Sequence, residues 1–137
     1  MKQVFVDTFY WVALLNPRDD LHQEIFQFSQ TITTVLRVTT EEVLIEVLNF
    51  FSNYDALMRQ KASRFTHRIS NELSIHIIQQ THASFQSGLE LYERRLDKGY
   101  SLTDCISMQT VKQLGITDIL TRDRHFTQEG FNILLSK

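Results

Sequence analysis

Short runs of β-branched and aliphatic residues alternate with longer stretches whose apolar residues recur at helical spacing. No other feature of the chain limits the possible folds as tightly. KQVFV, with Val4 and Val6 on one side, reads as a buried strand ending at Asp7. Val35 to Val38, SIHII, DILT and FNILL read as further short strands. FYWVALL after Asp7 has helical character, with Thr8 as the expected cap and Asn16 and Pro17 as terminators. Asp20 to Thr31, Asp55 to Glu72 and His82 to Leu96 are expected helices, the last with Phe85, Leu89 and Tyr92 on one side. Thr39 and Glu42 have the spacing of a capping box, opening a helix whose apolar face is Val43, Leu44, Val47, Leu48, Phe50 and Phe51. Ser101 and Asp104 form a second such pair, and Gly115 ends that helix in the left-handed conformation. Asp123 to Glu129 reads as a turn. Strands alternating with helices predict an α/β fold with a mostly parallel sheet covered on both faces.

The 137 residues are expected to form a single domain, 1–137. Glycine (4) and proline (1) are too scarce for collagen-like, linker-like or turn-dense all-β architectures. Cys105 has no partner for an internal disulfide and reads as a small buried apolar side chain. No apolar run approaches the roughly 18 residues needed to cross a bilayer. The opening apolar stretch is broken by Asp7 and has no basic leader, so it does not read as a signal peptide. The expectation is a cytoplasmic protein with no membrane contact. A net charge of −2 carries no global sign of nucleic-acid binding, but the distribution of charge does. Arg59, Lys61, Arg64 and Arg68 lie between Ala56 and Asn71 with no acid among them. On a helix, Lys61, Arg64 and Arg68 share one face, which suits either a phosphate backbone or solvent.

Four acids stand out by their contexts. In open parallel sheets ligands bind beyond the carboxyl ends of the strands, where Asp7 and Asp123 are expected. Thr8 and Thr121 sit beside them and could orient carboxylates or water. Asp7 could also cap the following helix, but Thr8 can fill that role. Glu41 and Glu42 suit a first helical turn, where negative charge favours the helix dipole. Glu46 lies one turn further, at the margin of the apolar face, where a carboxylate is partly desolvated and needs a partner. Asp104 fits a capping box and a cation ligand equally well, and Asp123 fits a turn or a ligand. Gathered together, four carboxylates repel one another, and a cation held by oxygen ligands beside water is suited to phosphoester hydrolysis.

VFVDTFYWVALLN, VTTEEVLIEVLNFF and SLTDCISMQTVKQLGITDILTRDRHF together resemble the PIN-domain nucleases, in particular VapC-like toxins of toxin–antitoxin modules. The resemblance covers nearly the whole chain and is weakest from Asn53 to Gln80. It implies a three-layer α/β/α fold that brings Asp7, Glu46, Asp104 and Asp123 together as catalytic residues and ligands of Mg²⁺ (or Mn²⁺). It implies hydrolysis of RNA without a covalent intermediate, leaving a 5′-phosphate. Asp97 is expected as a supporting residue, with Thr8 and Thr121. Arg122, Arg124 and His125 are near enough in sequence to steer the RNA backbone, as are Arg64 and Arg68 on their stripe. A cognate antitoxin and a homodimer are the implied partners. The alternative is a catalytically inert module that binds RNA or protein. A phosphotransfer role for Asp7 finds neither the acid pair of receiver domains nor the D-x-D of haloacid-type phosphatases in VFVDTF.

Overall fold

The computed structural model describes residues 2–135. Its strands are β1 (Gln3–Val6), β2 (Leu36–Thr40), β3 (Ile75–Ile78), β4 (Asp118–Leu120) and β5 (Asn132–Ile133). The helices are α1 (Thr8–Leu15), α2 (His22–Ser29), α3 (Glu41–Phe50), α4 (Ala56–Ser70), α5 (His82–Arg94), α6 (Leu102–Leu114) and α7 (Arg124–Gln128). The strands form one sheet in the order β3-β2-β1-β4-β5, and every pairing is parallel. The chain therefore steps from β1 outward to β3, then crosses back over β1 and continues to β5. Crossovers of this kind are right-handed, so the two directions of travel put α1 to α4 on one face and α5 to α7 on the other. The crevice between β1 and β4 is the point where the direction reverses. There Val6 pairs with Leu120, which brings Asp7 and Thr121 to the same carboxyl edge.

The three central strands hold the buried side chains of the sheet, while β3 and β5 at its edges are only partly covered. Phe5, Val6, Val38, Ile119 and Leu120 are almost wholly inaccessible and meet Trp11, Phe51, Phe65 and Met108 from the helices. Burying side chains of this size is the main stabilising term, about 1.5–3 kcal/mol for each large one. A buried polar thread accompanies them. Trp11 Nε1 donates to Thr39 Oγ1 at 3.3 Å, and Thr39 donates to the Val6 carbonyl at 2.9 Å.

That thread explains one departure from the sequence reading. Thr39 does not cap α3; it belongs to β2, and Thr40 takes the cap, its hydroxyl accepting from the Val43 amide at 3.1 Å. No Thr39–Glu42 capping box forms, and Glu42 instead accepts from Ser84 Oγ at 3.3 Å. Apolar spacing also overstated two helix faces. In α3, Val43, Leu44 and Val47 are buried, whereas Leu48 and Phe50 are exposed. In α5, Phe85 and Tyr92 face outward, and Gly88 and Leu91 form the buried side. A Cβ at Gly88 would lie 2.3 Å from Ile106 Cγ1, so the missing side chain is what lets α5 settle against α6. The Ser101–Asp104 capping box is present, and Gly115 adopts φ 71°, the left-handed end that releases the chain toward β4. The segment from Asp123 onward is a short helix rather than a plain turn. None of the helices among the described residues is long and apolar enough to cross a membrane.

Candidate active site

Asp7 follows β1 directly and is 6% exposed, so its carboxylate is held almost out of water. It occupies the cap position of α1, yet its side chain makes no capping bond there. Thr121 Oγ1 donates to Asp7 Oδ2 at 2.9 Å, and the Asp123 amide donates to the same threonine oxygen at 3.1 Å. One hydroxyl thus ties the ends of β1 and β4 together. Thr8, expected as a cap, instead reaches across to α3 and donates to Glu46 Oε1 at 2.6 Å. Both threonines are spent on aiming a carboxylate.

Glu46 is half-buried on α3, and Asp104 is half-buried in the first turn of α6. Asp104 takes part in the capping box and still faces the other acids. Burial raises the pKa of Asp104, and the charges of Asp123 and Glu46 raise it further. Burial likewise pushes Asp7 up to about 7 against the lowering effect of hydrogen bonds from the Thr8 amide and the Thr121 hydroxyl, and the charges of Asp104 and Glu46 add to the rise. Four acids drawn from α1's leading edge, α3, α6 and the end of β4 therefore repel one another at one place. No lysine or arginine forms a salt bridge with any of them among the described residues. Such a concentration of like charge is characteristic of functional sites.

The neighbour that does approach is His125. Its Nδ1 lies 3.3 Å from Asp123 Oδ1 and 3.6 Å from Asp104 Oδ2. One ligand atom from each of Asp104, Asp123 and His125 falls within 4.8 Å of the others, a spacing that could hold a cation. The sequence reading had put His125 beside the RNA. Its place follows from local geometry: Asp123 Oδ1 accepts from the His125 amide at 2.9 Å, which starts α7 and folds the imidazole back over the acid. A D-x-H step immediately after a strand is the signal that could have revealed it.

The other expected residues divide. Arg124 is exposed at the start of α7, and the Arg122 guanidinium lies over the Phe9 ring, 6.0 Å from its centroid. Arg64 and Arg68 stand further off. They line a groove of about 490 Å³ between the end of α1 and α4, with Leu15, Arg18, Tyr54, Lys61 and Phe65. α1 separates this groove from Asp7 by about 12 Å, its length at 1.5 Å per residue. Asp97 is not among the clustered acids. It is exposed in the turn after α5, where its charge acts on Arg95, because the bend at Gly99 carries it away before α6 begins.

Comparison with known proteins bears on the family and the fold. Residues 4–131 match the PIN domain family. The chain belongs to that family. A crystal structure of Mycobacterium tuberculosis VapC20, described as a toxin that cleaves the Sarcin-Ricin loop, superposes with a TM-score of 0.82. The match covers 93% of this chain and 95% of that one at 22% identity. FitAcB from Neisseria gonorrhoeae shares the fold more distantly, with a TM-score of 0.66, 14% identity and 95% of each chain covered. No curated protein matches the sequence. At these identities the likeness to the solved structures is one of fold, and the fold is the five-stranded parallel sheet with its helical layers.

Proposed function

We propose that this chain is a divalent-cation-dependent endoribonuclease and that it acts as the toxin of a toxin–antitoxin pair. The observation that carries this reading is the convergence of Asp7, Glu46, Asp104 and Asp123 at the β1–β4 crevice with no lysine or arginine paired to them among the described residues. Family membership and the resemblance in fold to an RNA-cleaving toxin support it.

The donors suit Mg²⁺ or Mn²⁺, since carboxylate oxygens are the ligands such ions prefer. Asp7 and Asp123 are the principal ligands in this scheme, with Glu46 and Asp104 completing the set. When bound, the ion supplies Lewis-acid neutralisation of the phosphate and an activated water for hydrolysis. The chain's own groups do the rest. Thr121 fixes the Asp7 carboxylate and Thr8 fixes Glu46, so that neither must be ordered at the moment of reaction. The low exposure of Asp7 keeps bulk water from its inner oxygen. Arg122 and Arg124, adjacent to Asp123, draw the RNA backbone to the crevice, and Arg64 and Arg68 extend the basic track along the groove. The antitoxin covers the same acidic pocket. The exposed Ile45, Leu48 and Phe50 of α3 offer apolar surface for pairing with a second copy.

The test is cleavage of RNA by the purified chain in the presence of Mg²⁺ or Mn²⁺. Cleavage is expected to stop on treatment with EDTA. Asp123→Asn is expected to lower the rate by at least about 100-fold, the upper end of what even outer groups contribute at metal sites. Undiminished cleavage in either case contradicts the proposal, and binding of RNA without cleavage points to an inert module.

A further inference from the structure

We infer that His125 is a nitrogen ligand of the cation at this cluster and gives the site a preference for Mn²⁺ over Mg²⁺. The inference rests on reading the cluster as a divalent-cation site and adds a specific donor to the four oxygens.

His125 Nδ1 is closed off from solvent and faces two carboxylates, yet it makes no hydrogen bond of good geometry to either. A buried polar atom left in that condition calls for an explanation. Its distances to Asp123 and Asp104, 3.3 and 3.6 Å, are long for hydrogen bonds. They come close to the separation of neighbouring ligands on one ion, about 3 Å when each bond is about 2.1 Å. The imidazole is also held in place. The Tyr100 ring packs against it at 5.1 Å between centroids. The Tyr100 hydroxyl donates to Glu129 Oε2 at 3.0 Å, and Arg95 Nε donates to the same oxygen at 2.7 Å. Arg95, Glu129 and Tyr100 together form a brace behind the ring, the kind of support that orients a metal-binding histidine. Tyr100 is in this sense a positioning residue.

The consequence is selectivity. Mg²⁺ takes oxygen ligands and gives up water reluctantly, whereas imidazole is a better donor to first-row transition ions. An all-carboxylate cluster has little basis for favouring Mn²⁺; one that includes a pre-placed nitrogen does.

The experiment is calorimetric titration of MnCl₂ and of MgCl₂ into the metal-stripped full chain, its His125→Ala variant and its His125→Asn variant. The parent is expected to bind Mn²⁺ at least about tenfold more tightly than Mg²⁺, and each variant to lose about tenfold or more of its Mn²⁺ affinity while Mg²⁺ binding changes little. Pulsed electron paramagnetic resonance of Mn²⁺ bound to the parent is expected to show coupling to a directly bound ¹⁴N, absent from both variants. This reading needs no variant to fold. Equal weakening of both ions, unchanged Mn²⁺ affinity in the variants, or a parent spectrum without nitrogen coupling overturns the role of His125 and leaves the carboxylate site standing. A parent that binds neither ion overturns the cation site itself, and with it this inference.

Discussion

Two polar clusters lie within one packing distance of each other and are built on opposite electrostatic plans. In the first, Glu129 is met by Arg95 and Tyr100. Burial pushes the Glu129 carboxyl up, but the hydrogen bonds and charge of its partners hold it below its ordinary value. In the second, Asp7, Glu46, Asp104 and Asp123 face one another, and burial with mutual repulsion drives Asp7 up to about 7. The paired cluster gains from its charges. The acidic one is strained by them, and uptake of a proton or a cation relieves that strain. Side chains that stabilise a fold and side chains that await a ligand can thus be told apart by whether their charges are already answered.

The largest effect should come from Asp7→Asn, which removes both a proposed ligand and a buried charge. RNA cleavage is expected to fall by at least about 100-fold. The metal-free protein should move the other way and become more stable. The folded pKa of Asp7 exceeds its value of 3.8 in an unfolded chain, so the folded state binds more protons between pH 4 and 7. The parent therefore loses stability as pH rises through that window, by up to ~4 kcal/mol, and regains it on acidification. Urea unfolding of parent and variant at pH 8 and pH 4 should show a gap at the higher pH that closes at the lower. A variant less stable than the parent at pH 8 contradicts the contrast between the two clusters.

Glu129→Gln attacks the other plan. It should cost about 1–3 kcal/mol in unfolding experiments, because Arg95 and Tyr100 lose their shared charged acceptor. Cleavage should decline far less than for Asp7→Asn, since Glu129 acts only by bracing Tyr100 and His125. A loss of activity as deep as that of Asp7→Asn would merge the two clusters into one functional unit. The smallest effect is expected from replacing Arg64 and Arg68 together with alanine. RNA binding should weaken severalfold, and the slope of log affinity against log salt should shrink by roughly 1.4, about 0.7 for each lost phosphate contact. An unchanged slope removes the α1–α4 groove from the RNA path.

Much of this was legible in the sequence because periodicity and strand-end position are local signals. The alternation of strands and helices foretold the parallel sheet, and the Ser101–Asp104 pair foretold the start of α6. What sequence spacing could not convey was depth. Thr39 and Thr40 look alike as caps until the bond from Trp11 to Thr39 is seen. Phe85 and Tyr92 look like core until Gly88 turns α5 the other way round against Ile106. At the site, the four acids were visible from their contexts, but their burial and mutual repulsion emerge only in three dimensions. Asp97 seemed close in sequence and is carried off by a turn. His125 seemed peripheral, and the cap at Asp123 folds it inward.

The most direct test of the central claim is to count the protons set free when a divalent cation binds. Titrating MnCl₂ into the metal-stripped chain near pH 7, in two buffers of different ionisation enthalpy, measures that number. An ion that relieves the crowded acids must displace the proton held by Asp7, so release of about half a proton or more is expected, together with affinity that rises with pH. Binding that releases no proton, or that is equally tight in Asp7→Asn, would show that Asp7 is not answered by a cation and would contradict the account.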